Sequence, residues 1–185
     1  MPFRAFVSAD FGAFPKVDAF ARALRDAGGQ LKLVDLDLLH TTLKFLGDTD
    51  EALVPEIVRV LEKAVERVLP VHVLLRGTGA FPSATRISVV WVGLEGADAL
   101  AGIAAALNRD LDALGFRPEN RRWEPHVTVA RVKGPRNLDR VRSAISAFAN
   151  EDFGESTVDR VRLKKSVLKP EGPEHTTVAE VLLSG

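Results

Sequence analysis

Strand-like runs come in pairs between amphipathic helices along this chain, and that order limits its fold more than any other feature. Phe3-Arg4-Ala5-Phe6-Val7 alternates as a strand does and ends in a turn at Asp10-Phe11-Gly12. Val17, Phe20 and Leu24 then form a helical stripe behind Pro15, which stands where a first helical residue would, and Gly28-Gly29 stops it. Strands are expected over residues 31–36 and 39–46, the second closing at Gly47. Asp50 suits the N-cap of a long helix whose apolar face runs from Leu53 through Ile57 and Leu61 to Val68. Two further strands, 71–76 and 86–94, flank a connection punctuated by Gly77, Gly79 and Pro82. A helix from near Ala97 presents Leu100, Ile103, Leu107 and Leu111, with Gly115 as its stop. A loop over 117–125 leads into a strand over 127–132, a helix carries Leu138, Val141, Ile145 and Phe148, and two strands, 156–168 and 176–183, finish the chain.

Hairpin-like pairs between helices favour an α+β fold with antiparallel sheets over a doubly wound parallel one. No Gly-rich turn joins a strand to a helix in the dinucleotide or P-loop manner. Neither a linker nor a low-complexity tract divides the 185 residues, so residues 1–185 are expected to form a single two-lobed domain. A chain of that size buries about 70% of its unfolded surface and holds a core without staples.

Composition matters here for what it excludes. The chain has no cysteine, which removes disulfides, thiolate nucleophiles and cysteine-held metal sites. Lys plus Arg number 25 against 25 Asp plus Glu, and a net charge of zero argues against coating long nucleic acid by electrostatics. The N-terminus enters a strand directly, and no run approaches the roughly 18 apolar residues of a membrane span. A cytoplasmic, unprocessed protein without membrane association is expected, and a monomer.

Three of the four histidines have threonine two positions on: His40-Thr41-Thr42, His126-Val127-Thr128 and His175-Thr176-Thr177. On a strand, residues i and i+2 share a face, so each segment presents an imidazole beside a hydroxyl. His40 and His126 each open a well-formed apolar strand, the latter behind Trp123-Glu124-Pro125. His175 follows a Pro-Gly-Pro turn between Glu171 and Glu174 and reads as a surface residue at the start of a hairpin. His72 stands alone and reads as structural or solvated.

Two imidazoles facing one cleft form an acid-base pair, because a pKa near 6.5 lets one accept a proton while the other gives one. Hydroxyls and a cation beside them suit a phosphate diester, whose cleavage needs a base for water, an acid for the departing alkoxide and donors on the nonbridging oxygens. Arg131 is the candidate cation, in a stretch (117–142) with eight Lys/Arg against three Asp/Glu. Strict alternation from His126 turns Arg131 to the opposite face, so its participation requires a bulge, a strand end or a side chain that curls back. Trp123 reads either as packing or as a platform for a base.

His40-Thr41-Thr42-Leu43-Lys44-Phe45-Leu46-Gly47 and Glu124-Pro125-His126-Val127-Thr128-Val129-Ala130-Arg131 resemble the paired His-x-Thr-x signatures of the 2H phosphoesterase superfamily. In detail they resemble its RNA 2',3'-cyclic phosphodiesterase family, long called 2'-5' RNA ligase. The likeness extends to the first strand at Phe3–Val7, to Val89-Val90-Trp91-Val92-Gly93-Leu94 and to the C-terminal hairpin after Leu163-Lys164-Lys165-Ser166. The resemblance implies a bilobal α+β fold of pseudo-twofold symmetry, with two mainly antiparallel sheets, outer helices and one motif from each lobe in a central cleft. It implies metal-independent hydrolysis of a terminal 2',3'-cyclic phosphate to a 2'-phosphate, with some members joining RNA ends in reverse. By the same resemblance His40 is the proton donor to the 3' oxygen, His126 the acceptor from water, and Thr42, Thr128 and Arg131 hold the phosphate. RNA ends are then the partner, with neither metal nor cofactor required. The family usually has an aromatic residue where His175 stands, so the resemblance implies that the third His-x-Thr is a local substitution.

Two other readings stay open on the residues alone: a phosphodiesterase for a small cyclic nucleotide, and a noncatalytic RNA or nucleotide binder, against which the intact His and Thr of both motifs weigh. A metal site lacks the ligand spacings it would need.

Overall fold

The computed structural model describes residues 1–185. Its elements are β1 (Pro2–Gly12), α1 (Val17–Asp26), β2 (Leu31–Leu33), β3 (Leu39–Asp50), α2 (Val54–Val65), β4 (Val71–Pro82) and β5 (Ile87–Glu95). There follow α3 (Asp98–Asp110), β6 (His126–Val132), α4 (Leu138–Ala147), β7 (Asp152–Val158), β8 (Arg160–Lys169) and β9 (Gly172–Leu182). The strands form two sheets, ordered β3-β1-β8-β9 and β2-β6-β5-β4-β7. Every ladder in them is antiparallel, so the α+β expectation holds.

Helices cover one side of each sheet. α2 and α3 lie on the first, burying Ile57, Leu61, Leu100, Ile103 and Leu107 against Val7, Ala9 and Leu43. α1 and α4 lie on the second, where Phe20, Leu24, Val141 and Ile145 meet the buried side chains of β4, β5 and β6. Each fully buried Leu or Phe contributes about 2 kcal/mol by leaving water. The buried residues join into one cluster that runs through both sheets. Gly115 stops the α3 region as expected, at φ +93°, a left-handed conformation that favours glycine.

Several boundaries differ from the sequence expectation, each for a physical reason. β1 runs on through Asp10 to Gly12, because Asp10 pairs with His40 across the ladder. β3 continues through Gly47 to Asp50, with Gly47 absorbing an irregularity opposite Ala5. Asp50 does cap, but it caps a 3-10 turn at Glu51–Leu53, accepting from the Ala52 N–H at 3.0 Å, and α2 starts behind that turn. The Gly77-Gly79-Pro82 segment is not a connection: it is the second half of β4, bulged between Leu75 and Thr78. Gly79 is required there by close approach, since a Cβ would lie 2.3 Å from the Trp91 ring. The long strand expected over 156–168 breaks at Asp159, where the chain leaves the second sheet for the first. Val158 and Val161 are both buried and three residues apart, a spacing that one unbroken strand cannot satisfy.

Candidate active site

The register places the chemistry-bearing residues on the helix-free sides of the two sheets. On the first sheet β3 presents His40 and Thr42, β1 presents Asp10, Ser8 and Phe6 opposite them, and β8 adds Arg162 and Lys164. On the second, β6 presents His126 and Thr128, with Gly93 and Trp91 opposite them on β5. The two sides approach each other, with β3 beside β6, and direct contacts join them. The Trp123 indole N–H donates to the Thr42 carbonyl at 2.8 Å, and the Lys32 ammonium of β2 donates to the Glu171 carbonyl at the tip of the β8–β9 hairpin at 2.9 Å.

Both motif strands carry a bulge at the same step. Val7 pairs with Lys44 but Ser8 with Thr42, so Leu43 is an extra residue. Val90 pairs with Ala130 but Trp91 with Thr128, so Val129 is its counterpart. Leu43 and Lys44 are consecutively buried, as are Val129 and Ala130, and alternation changes phase after each pair. The bulge that Arg131 required is therefore present. Opposite Val89, Arg131 returns to the same side as His126 and Thr128. The matching residue of the first motif is Phe45, opposite Phe6 and 60% exposed.

The two imidazoles are oriented alike. Nδ1–H of His40 donates to the Leu38 carbonyl at 3.2 Å and Nδ1–H of His126 to the Glu124 carbonyl at 2.8 Å, in each case two residues back. A carbonyl only accepts, so the proton sits on Nδ1 of each neutral ring and Nε2 is left free. Phe81 packs edge-on against His126, 4.8 Å between centroids, and Phe6 lies 5.6 Å from His40.

Electrostatics ties the sheets together. Burial pushes His40 below the ordinary imidazole value, the Leu38 carbonyl and Asp10 oppose this, and Lys164 and Arg131 add to it. Burial likewise lowers His126, against the Glu124 carbonyl and carboxylate, and Arg131 lowers it further. One guanidinium thus acts on both imidazoles. Asp10 is itself pushed up by burial, but hydrogen bonds from Lys164, Ser8 and Arg162 outweigh that and hold its carboxyl below the usual range. Its oxygens lie 2.8 Å from Lys164 Nζ, 2.7 Å from Arg162 and 2.7 Å from the Ser8 hydroxyl.

The loop before His126 is anchored from the first motif. Lys44 is only 4% exposed, and its ammonium donates to Asn108 Oδ1 at 2.8 Å and to the Arg117 carbonyl at 3.0 Å. Asn108 in turn accepts from the Glu119 N–H at 2.8 Å and donates to the Glu119 carbonyl at 3.0 Å. Together with the Trp123 bond, these contacts fix where β6 begins relative to β3. Of the two readings of Trp123, the structure supports packing: the ring is half-buried and its N–H is used within the protein.

His175 is half-buried, not a free surface residue. Its ring lies 4.8 Å from Phe6 and 5.6 Å from His40. His72 is exposed, 3.3 Å from Glu155. Sequence reasoning missed Phe45. Its signal was the aromatic five residues after His40, matching the arginine five residues after His126. No three His, Asp or Glu side chains converge as a metal would need.

Residues 13–168 match the family described as the 2'-5' RNA ligase superfamily. The RNA 2',3'-cyclic phosphodiesterase of Methanothermobacter thermautotrophicus is 38% identical over 178 residues, which cover 95% of this chain and 96% of that one. Its namesake from Aeropyrum pernix is 39% identical over 164 residues, 85% and 92% of the two chains. The crystal structure of E. coli LigT complexed with 3'-AMP has the same fold, with a TM-score of 0.76 over 100% of both chains at 19% identity. That of TT0787 from Thermus thermophilus gives 0.69 over 97% of both at 25% identity. The chain belongs to the 2'-5' RNA ligase superfamily, a group of 2H phosphoesterases.

Proposed function

We propose that this chain, a single two-lobed unit, hydrolyses the 2',3'-cyclic phosphate at an RNA end to a 2'-phosphate, using His40 and His126 as its acid and base and no metal. The observation that carries this reading is the matched pair of imidazoles on facing sheets, each with Nε2 free and both within the field of Arg131. The relatives from Methanothermobacter and Aeropyrum, both named for that activity, supply the substrate class.

In the reaction, neutral His126 takes a proton through Nε2 from the water that attacks phosphorus. The P–O3' bond breaks on the opposite side, and His40 as imidazolium gives its proton to the 3' oxygen. His126 ends charged and His40 neutral, and solvent exchange restores both. Thr42, Thr128 and Arg131 donate to the nonbridging oxygens as charge builds there, the kind of stabilisation that works best from fixed donors. Burial lowers both imidazoles in the free protein, and the bound phosphate anion raises them, so substrate itself helps to charge the acid. Phe45 offers an exposed ring on the same side as His40 and Thr42, a surface on which the terminal base stacks.

The test is turnover, with a chelator present, of an oligoribonucleotide ending in a 2',3'-cyclic phosphate. A 2'-phosphate product is expected. A 3'-phosphate product, or loss of turnover to the chelator, contradicts the reading.

A further inference from the structure

The third His-x-Thr segment has no part in a two-histidine reaction, yet its imidazole packs against the first one. The His175 and His40 rings are 5.6 Å apart and inclined at 79°, and Phe6 contacts both, at 4.8 Å from His175 and 5.6 Å from His40. His175 comes from the edge strand β9, opposite Ser166, so neither motif strand dictates its presence. Phe6 is buried and gives the pair a hydrocarbon wall in place of water on one side. Two positive charges at this separation, partly out of water, repel strongly.

The surrounding charges favour one cation there and oppose a second. Asp10, from β1, is the anion that faces both rings, and it is already shared with Lys164 and Arg162 of β8. Lys164 pushes against a charge on either ring, and Arg131 of β6 pushes against one on His40. Glu174, beside His175 on β9, is engaged by Lys169. Burial lowers His175 as it does His40, and the His40 charge lowers it further.

We propose that His175 is a positioning residue for the general acid: it and His40 hold one proton between them, so that His175 sets the fraction of molecules in which His40 is charged. This rests on the assignment of His40 as the acid, but the sharing of the proton can be measured without turnover. Phenylalanine at position 175 keeps a ring against Phe6 and His40 while removing the competing base.

The experiment is NMR titration of the imidazole Cε1 protons in the wild type, His175→Phe and His40→Phe. In the wild type each ring is expected to titrate over a wider range than the about two pH units of a single site, with steps common to both. Replacing either ring collapses the other to one step, and the lower-titrating ring moves up by at least about half a unit. On the rate plateau His175→Phe is expected to exceed the wild type, by about twofold where the two rings hold the proton equally, because the share held by His175 returns to His40. Two independent single-site curves, unmoved by either replacement, overturn the proposal. So does a tenfold fall in kcat in His175→Phe with the His40 titration unchanged, which marks His175 as a substrate contact. Coupled titrations in a protein whose His40→Ala variant keeps full turnover would uphold the shared proton and overturn only the role of His40. His175→Asn replaces the Phe variant if that one fails to fold.

Discussion

Placed side by side, β3 and β6 agree residue by residue in backbone and differ in what surrounds them. Each has, at its first or second residue, a histidine whose Nδ1–H meets the carbonyl two residues back, continues with a threonine on the same side, and bulges once before the sixth residue of the motif, which returns to that side. That sixth residue is Phe45 in one strand and Arg131 in the other. Around His40 stand Asp10, Lys164 and His175, while His126 has Phe81 and the Glu124 carbonyl. A repeated backbone device thus supplies two imidazoles in one orientation, with unequal neighbours: a carboxylate beside His40, a guanidinium at the sixth position of the His126 motif and an aromatic ring at the matching position of the His40 motif, which in the proposed reaction meet the acid, the phosphate and the nucleobase.

The largest expected effect breaks both halves alike. His40→Ala and His126→Ala each lower kcat/KM on the order of 10²-fold or more, several kcal/mol of transition-state stabilisation, with KM little changed in steady-state assays. Arg131→Ala is next, at about 10- to 100-fold in kcat, and Arg131→Lys recovers part of the loss because the charge returns without the fork. Phe45→Ala sharpens the contrast: KM rises by about tenfold for an oligonucleotide while kcat holds, as loss of one stacked base predicts. Trp123→Phe has the smallest effect, roughly fivefold in kcat, corresponding to about 1 kcal/mol for the lost hydrogen bond to Thr42. If Trp123→Phe changes KM alone, the ring touches substrate and does not fix the strands.

The pH profile tests the pair from another side. Burial holds both imidazoles of the free protein below the ordinary value, so the alkaline limb of kcat/KM, where the acid loses its proton, falls earlier than an exposed histidine would allow. The bound phosphate anion raises the affinity of both rings for protons, so the same limb in kcat lies at higher pH. Coincident limbs in the two profiles contradict this. The limbs belong to the coupled pair and not to single residues.

The helices, the α+β class and both motifs were legible in the sequence because apolar spacing and the His-x-Thr repeat are local. What escaped depends on distant parts of the chain. Gly77 and Gly79 look like turn residues until Trp91 is seen lying across Gly79. The bulges at Leu43 and Val129 leave no mark in composition, and a strict period of two sends Arg131 to the wrong side. His175 looked solvated because its neighbours in sequence are polar, whereas its neighbours in space, Phe6 and His40, lie on strands formed more than a hundred residues earlier.

The division of labour between the two histidines is tested most directly by changing the leaving atom. A 2',3'-cyclic substrate with sulfur in place of the 3' oxygen expels a thiolate, whose conjugate acid has a pKa near 8.5 and which needs no proton in order to leave. On that substrate His40→Ala is expected to recover to within about tenfold of the wild type, while His126→Ala stays as impaired as on the oxygen substrate. Recovery by His126→Ala instead, or by both variants equally, would contradict the assignment of His40 as the acid and His126 as the base.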